Sequence, residues 1–112
     1  MNIEDLRLYT LSLPDVEEAF PFGDDVIVFK INNKIFLLLP LNAESLRFNV
    51  KCNPGYAIEL REQYSCIQPG YHMNKKHWNT IFVDGTLSSK QIKQFIEDSY
   101  NLVNKNKRFN SR

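Results

Sequence analysis

The sequence predicts a single α+β domain, a two-layer sandwich in which an antiparallel sheet carries its helices on one face. Two observations predict this class. Strand-like segments follow one another directly before residue 52, whereas segments with helical spacing stand at the ends and in the middle of the chain, so the two kinds of element are partly segregated. In addition, 112 residues without a linker or an internal repeat indicate one domain, residues 1–112.

The expected order is a helix, three or four strands, a second helix, one or two strands and a third helix. Three helices are too few to cover both faces of a sheet, so we expect one covered face and one open face. The composition fits a folded chain, because 43% of the residues are hydrophobic and 24% are charged. A domain of this size should fold without metals or disulfides.

The first predicted helix spans residues 3–13. Asn2 is its capping residue, and Asp5 places a negative charge in the first turn, where the helix dipole favours it. Pro14 ends the helix, because proline cannot continue the pattern of backbone hydrogen bonds.

The next segments predict a β-hairpin. Residues 26–31 and 34–39 are rich in β-branched and aromatic residues. Asn32 and Asn33 between them tolerate the positive φ that a tight turn requires. The stretch before the hairpin, VEEAFPF, predicts an additional edge strand, because Pro21 suits the edge of a sheet and not its centre.

Residues 45–51 predict a strand with one covered and one wet face, because apolar and polar residues alternate strictly. The apolar side carries Leu46, Phe48 and Val50, and the polar side carries Ser45, Arg47, Asn49 and Lys51. The last strand is expected at residues 78–83, which the turn pair Asp84-Gly85 follows.

The second helix is expected to start at Asn53-Pro54, a capping residue followed by a proline at the first helical position. Tyr56, Leu60 and Tyr64 recur every four residues and are predicted to share its buried face.

The third helix starts with a capping box formed by Ser88 and Gln91, and Leu87 with Ile92 forms a hydrophobic staple around it. The residues after this helix, 105–112, are expected to fray.

Charge and targeting signals restrict the possible roles. The net charge is +1 and the sequence pI is about 7.8, whereas a dedicated DNA-binding domain more often has a pI above about 9. Nucleic-acid binding would therefore need local clustering of cations.

No apolar stretch reaches the length of a membrane span, and the start of the chain lacks a secretory signal, which predicts a cytoplasmic protein without membrane contact. In that compartment Cys52 and Cys66 are expected to be free thiols.

Four segments carry a family likeness: EEAFPFGDD, SLRFNVK, PGYHMNKKHWNTIFVDG and the closing IEDSYNLV. Together they resemble the MmcQ/YjbR-like family of small bacterial proteins over nearly the whole chain. The resemblance implies a two-layer fold similar to the type III secretion chaperones and to the CyaY-like (frataxin) fold. It also implies the role usually assigned to the family, DNA binding. Glu4 and Asp5 are the only carboxylates of the first helix, so the sequence does not extend frataxin-type iron binding to this chain.

The candidate nucleic-acid contacts are the cations of the predicted hairpin tip, of the wet strand face and of the loop before the last strand: Lys30, Lys34, Arg47, Lys51, Lys75 and Lys76. A nearby aromatic ring could stack a base. The competing interpretation is an ordinary solvated surface, in which Glu17, Glu18, Asp24 and Asp25 neutralise these charges.

A polar pocket is the alternative interpretation of the same loop. It would group Lys51, Tyr71, His72, Asn74, His77 and Trp78 and would hold a small anion or a peptide carboxylate. The competing interpretation is that these residues are a scaffold and only stabilise the fold. Trp78 would then pack under the C-terminal helix, Asn74 would cap a turn through Lys76, and His77 would satisfy backbone groups.

Catalytic and metal-binding patterns are absent from the sequence. His72 and His77 are five residues apart, a spacing that places them on different sides of a helix or a strand. No metal-binding, nucleophile or phosphate-loop motif is present, so we expect no catalytic residue, metal or cofactor. The sequence predicts a non-catalytic binding module, with DNA as the family-suggested partner. A ligand or enzyme site at residues 71–78 and a chaperone-like protein interaction, as monomer or homodimer, are the alternatives.

Overall fold

The computed structural model describes residues 1–104, which form one six-stranded sheet and three helices. The elements are α1 (Ile3–Ser12), β1 (Glu17–Ala19), β2 (Val26–Ile31), β3 (Lys34–Pro40), β4 (Arg47–Lys51), α2 (Pro54–Gln63), β5 (Ile67–Pro69), β6 (Trp78–Phe82) and α3 (Ser89–Val103). The strand order is β1-β2-β3-β4-β6-β5, and all neighbours are antiparallel. The predicted fold class is confirmed; the predicted frayed tail, residues 105–112, lies outside the described residues.

The helices bury one face of the sheet, as the alternation in β4 predicts. Phe48 and Val50 point into this main core, and both are at most 2% exposed. The other main contributors from the sheet and the helices are Leu6, Phe29, Leu37, Leu39, Leu60, Ile81, Ile92 and Ile96. Burial of this apolar surface is the chief driving force for the two-layer arrangement.

The three predicted helix starts are confirmed. The side chains of Asn2, Asn53 and Ser88 each accept hydrogen bonds from backbone N–H groups of their first helical turn. The predicted buried face of α2 is wrong in part, because Tyr56 is 43% exposed. The buried stripe is centred on Ala57 and Leu60, which lie three positions apart, so Tyr56 stands at its margin.

The hairpin is confirmed and contains a bulge. Asn32 and Asn33 have φ values of 52° and 66°, the positive values that its two-residue turn requires. The β2–β3 register then shifts, because Lys30 pairs with Ile35 whereas Phe29 pairs with Leu37. Phe36 is therefore the extra residue of a β-bulge.

A side chain of α3 closes the sheet where β3 and β4 separate. The register between these strands contains Leu37↔Val50 and Leu38↔Asn49. At the next position, the Ser99 hydroxyl donates to the Phe36 carbonyl and accepts from the Lys51 N–H at 2.8 Å. The hydroxyl thus bridges Phe36 and Lys51, where the direct pairing of β3 with β4 has stopped.

The second face of the sheet holds a smaller apolar cluster, to which Val28, Leu38 and Trp78 contribute their side chains. The prediction that Trp78 packs under the C-terminal helix is wrong. Ile81 of β6 faces the helices, so the alternation turns Trp78 and Thr80 to the opposite side. We call this side the open face. Among residues 1–104, no helix combines the length and apolar character needed to cross a membrane.

Candidate functional site

The loop at residues 70–77, between β5 and β6, folds back over the open face. The Gly70 N–H donates to the Trp78 carbonyl at 2.8 Å, and the Tyr71 N–H donates to Thr80 Oγ1 at 2.9 Å. A Cβ on Gly70 would lie 2.7 Å from the Cβ of Trp78. Only glycine therefore permits this close approach of loop and strand.

Arg61 of α2 fixes the other end of the loop. Its Nε donates to Asn79 Oδ1 at 2.7 Å, and its Nη2 donates to the carbonyls of Trp78, at 3.3 Å, and of Lys75. The sequence reasoning missed Arg61, because its position at the end of a short helix resembles an ordinary solvated site. Its partners are 14 to 18 residues away in the chain.

A cavity of about 420 Å³ lies on the open face beneath this loop; we call it the Trp78 cavity. Its wall is mainly apolar and consists of Phe22, Val26, Ile35, Leu38, Pro40, Met73 and Trp78. Arg47, Asn49, Tyr71 and His72 add polar groups. This volume and this mixture of many apolar groups with a few polar ones are typical of small-molecule sites.

A second, more open hollow of about 830 Å³ adjoins the Trp78 cavity; we call it the Phe82 cavity. The two cavities share Arg47 and Tyr71, which therefore form the ridge between them. The remaining lining of the Phe82 cavity is Ser45, Leu46, Ser65, Cys66, Gln68, Pro69, Lys75, Thr80, Phe82, Val83 and Asp84.

Arg47 is held on this ridge by aromatic rings. Its Cζ lies 5.4 Å from the ring centroid of Tyr71 and 5.9 Å from that of Phe82, distances typical of cation–π contacts. Tyr71 in turn contacts the His72 ring, with 4.1 Å between the centroids. Among residues 1–104, the Arg47 guanidinium has no carboxylate within ion-pair distance, whereas Arg7 pairs with Glu18 at 2.6 Å.

Asn49 is the buried polar group beneath the ridge. It is 8% exposed, and its Oδ1 accepts a hydrogen bond from the Thr80 hydroxyl. The same hydroxyl accepts from the Tyr71 N–H, so its orientation is fixed from both sides. Oδ1 is thereby engaged toward β6, and Asn49 also lines the Trp78 cavity.

The structure brings together three of the six predicted pocket residues. Tyr71, His72 and Trp78 line the Trp78 cavity. Lys51 and His77 instead line a separate cleft of about 200 Å³ beside the start of α2, so the two histidines belong to different hollows.

The loop residue Asn74 does not line either cavity of the open face. Its Oδ1 accepts from the Lys76 N–H at 2.9 Å, as the scaffold interpretation expects. The carbonyl of His77 likewise accepts from the Cys52 N–H at 2.8 Å. The Asn74 side chain and the His77 carbonyl therefore help to build the turn that leads into β6.

The six predicted nucleic-acid contacts are spread over two ends of the sheet. Lys30 stands opposite Glu17 in the β1–β2 register, so a carboxylate is its direct neighbour. Arg47 and Lys51 are at opposite ends of β4, about 13 Å apart along a strand. Lys51 lies near the hairpin end, with its Nζ 5.7 Å from the ring centroid of Trp78.

The remaining three cations are exposed, and one of them, Lys75, lines the Phe82 cavity together with Arg47. Lys34 lies at the hairpin tip beside the Asn32-Asn33 turn. The Lys75 ammonium donates to the Gly70 carbonyl at 3.1 Å, which places it within the loop, and Lys76 is exposed beside it.

Both cysteines are free thiols, and burial makes them poor nucleophiles. Burial, with a smaller contribution from Asp98, raises the pKa of Cys52 to about 11. Burial also raises the pKa of the Cys66 thiol. A thiolate is the reactive form, so neither thiol is activated.

We expect the folded protein to react slowly with iodoacetamide. At pH 8 the raised pKa lowers the thiolate fraction of Cys52 by about a hundredfold relative to an ordinary thiol, and burial slows access further. Mass spectrometry of the native and the urea-unfolded protein measures the two rates. Because folding raises the pKa of Cys52, its contribution to the free energy of unfolding also depends on pH. This contribution is fully present below pH ~9 and is lost as the pH rises toward 11. Rapid labelling of Cys52 in the native protein would contradict this assignment.

Comparison with known sequences identifies the family of this chain. A family model described as YjbR matches residues 11–102. YbdF of Escherichia coli O157:H7 is 39% identical over 104 residues, which cover 89% of this chain and 82% of that protein. YjbR of Escherichia coli K12 is 30% identical over 100 residues, which cover 89% of this chain and 85% of that protein.

Solved structures show the same fold. A crystal structure of a Deinococcus radiodurans protein with a DUF419 domain superposes with a TM-score of 0.87 at 36% identity, covering 94% of this chain and 80% of that one. A crystal structure of a Pseudomonas syringae protein superposes with a TM-score of 0.80 at 31% identity, covering 91% of this chain and 98% of that one. The resemblance carried by the four sequence segments is confirmed, and the chain belongs to the YjbR family.

Proposed function

We propose that this protein is a non-catalytic binding module whose ligand is a small organic molecule held in the Trp78 cavity. The supporting observation is the cavity itself, about 420 Å³ of mainly apolar space on a sheet face that none of the helices within residues 1–104 covers. Its rim carries Phe22 and Tyr71, whose side chains are 66% and 59% exposed. Exposed aromatic groups around a concave apolar surface are typical of sites that bind a partner.

The chemistry of the lining supports binding rather than catalysis. The lining of the Trp78 cavity, as far as residues 1–104 form it, contains no cysteine, serine or carboxylate, so these residues supply the cavity with none of the usual nucleophiles and general bases apart from His72. Cys52 and His77 share the cleft beside α2, but the pKa of that thiol is raised, which is opposite to the shift of a nucleophilic cysteine.

An uncharged fluorescent probe, N-phenyl-1-naphthylamine, tests the proposal. We expect saturable binding at micromolar concentration, with energy transfer from Trp78, the single tryptophan of the chain, which lies in the cavity wall. The variant Leu38→Phe enlarges a wall residue and should weaken binding by about tenfold, or ~1.4 kcal/mol. Ile58→Phe is the matched control, because Ile58 is 55% exposed on α2 and lines none of the three hollows described above. Equal affinity of Leu38→Phe and wild type would contradict the proposed site.

DNA binding and a chaperone-like dimer stay predictions and are separate outcomes of the same measurements. DNA binding is favoured by Lys30, Lys34 and Lys51 near the hairpin end of the sheet, but the opposing Glu17 and the distance to Arg47 weaken it. Absence of probe binding, together with salt-dependent binding of a random duplex, would favour DNA over the small ligand. Concentration-dependent dimerisation that the probe prevents would favour a protein partner on the same rim.

A further inference from the structure

We infer that the ligand of the Trp78 cavity is a small apolar monocarboxylic acid whose carboxylate binds Arg47. This inference rests on the proposed function and specifies the chemistry of its ligand. Three features carry it: a guanidinium without a carboxylate partner, a buried amide donor beside it, and an apolar chamber of limited volume.

The first feature is the Arg47 guanidinium, whose hydrogen-bond donors are available to a ligand. Arginine donates five N–H groups in a planar fork that matches a carboxylate. The Tyr71 and Phe82 rings hold its position on the ridge, at 5.4 Å and 5.9 Å from Cζ, without using any of these donors. Among the residues that the structure describes, no carboxylate lies within ion-pair distance of it. A half-buried guanidinium in this state is preorganised for an anion.

The second feature is the amide of Asn49. Arg47 and Asn49 are two positions apart on β4, so their side chains leave the same face of the strand about 7 Å from each other. Asn49 is 8% exposed and lines the cavity, and because Thr80 occupies its Oδ1, Nδ2 is the group that its amide can offer to a ligand. A carboxylate between the two residues would accept hydrogen bonds from both.

The third feature limits the rest of the ligand. Beyond the ridge, the cavity wall is formed by Val26, Ile35, Leu38, Pro40, Met73 and Trp78. A body of one or two fused rings, or a short branched chain, matches 420 Å³ of such space.

One guanidinium balances a single negative charge and not two. Lys75 lines the adjoining Phe82 cavity, and its ammonium donates to the Gly70 carbonyl at 3.1 Å. Asp84 lines the adjoining Phe82 cavity and opposes a further negative charge there. The charges around the ridge therefore favour a carboxylate over a phosphate.

The experiment compares three ligands with one aromatic body. The probes are 1-naphthylacetate, its uncharged analogue 1-naphthylacetamide, and 1-naphthyl phosphate, each displacing N-phenyl-1-naphthylamine from the protein. We expect the acetate to bind about 10-fold to 100-fold more tightly than the amide, because a charge-assisted hydrogen-bonded pair distinguishes them. In Arg47→Met, which retains an apolar stem, the acetate should lose this advantage while the amide changes by less than about twofold.

Two matched variants separate shape from charge. Arg47→Lys keeps the positive charge but loses the planar guanidinium. The logarithm of the affinity ratio between acetate and amide should therefore fall below half of its wild-type value. Lys90→Met removes one charge from an exposed position of α3 and should leave the preference for the acetate unchanged.

The outcomes distinguish this inference from the proposed function. If the neutral probe and the amide bind but the acetate gains nothing, and Arg47→Met changes neither, the carboxylate assignment fails while the cavity stands. Tighter binding of the phosphate than of the acetate would overturn the choice of a monoanion. If none of the ligands nor the neutral probe binds, the proposed function itself fails.

Discussion

Replacing Arg61 by methionine should lower the free energy of unfolding by about 3–5 kcal/mol and release the loop over the open face. The guanidinium donates to three acceptors at once: Asn79 Oδ1 at 2.7 Å, the Trp78 carbonyl at 3.3 Å, and the Lys75 carbonyl. Methionine preserves the apolar stem but leaves all three acceptors without this donor. Asn79 is 1% exposed, so water cannot readily take the place of Arg61.

Trp78 makes the effect of Arg61→Met directly measurable. It is the single tryptophan and is 8% exposed, so its emission maximum reports on the loop and on β6. We expect a lower urea midpoint together with a red shift of the native emission. Arg61→Lys should lose nearly as much free energy of unfolding as Arg61→Met. One ammonium cannot reach the acceptors on Lys75, Trp78 and Asn79 together.

The control for this experiment is Glu62→Gln, a change at the next residue of the same helix. Glu62 is exposed, so its replacement should alter stability by no more than about 0.5 kcal/mol. A loss below about 1 kcal/mol in Arg61→Met, with native emission at its original wavelength, would mean that the loop is held by other contacts. The affinity for N-phenyl-1-naphthylamine should fall in parallel, since the loop forms one wall of the Trp78 cavity.

The elements that sequence reasoning predicted well are those with local signals. The Asn2 and Asn53 caps, the Asn32-Asn33 turn and the alternation in β4 each depend on residues within a few positions of one another. Each of these signals has one dominant physical cause, such as an orphan N–H group or a positive φ, and tertiary packing does not override it.

The errors arise where two faces of the sheet are both partly apolar. In β6, Trp78 and Ile81 are apolar and point to opposite sides, so the sequence alone does not say which of them faces the helices. The prediction assigned the larger residue to the larger core. The structure places Trp78 on the open face, where the loop at residues 70–77 and the side chain of Met73 cover it.

The site depends on contacts that no local pattern encodes. Arg47 lies in a strand in which apolar and polar residues alternate strictly. That pattern predicts only that Arg47 is one cation of a surface patch. Its isolation from Lys51 and its contacts with Tyr71 and Phe82 follow from strand pairing and from the folded loop. Arg61 is the clearest case, because its partner Asn79 is 18 residues away.

Replacing Ser99 by alanine should cost about 2–4 kcal/mol, a large effect for the removal of one oxygen atom. Ser99 is 0% exposed, and its hydroxyl joins the Phe36 carbonyl to the Lys51 N–H across the gap between β3 and β4. Direct pairing of β3 with β4 stops before this position, and Phe36 is also the extra residue of the bulge between β2 and β3. Alanine therefore leaves one buried donor and one buried acceptor without a partner.

Amide hydrogen exchange distinguishes this cause from a general loss of packing. The Lys51 N–H should lose most of its protection in Ser99→Ala, whereas the Asn49 and Val50 amides should follow the global change in stability. Ser89→Ala removes the same atom from an exposed position at the start of α3 and should change stability by no more than about 0.5 kcal/mol. If Lys51 keeps its protection in Ser99→Ala, the hydroxyl does not bridge the strands. If protection is lost, the serine of the closing IEDSYNLV segment is explained by the gap between β3 and β4, because one hydroxyl both donates to the Phe36 carbonyl and accepts from the Lys51 N–H.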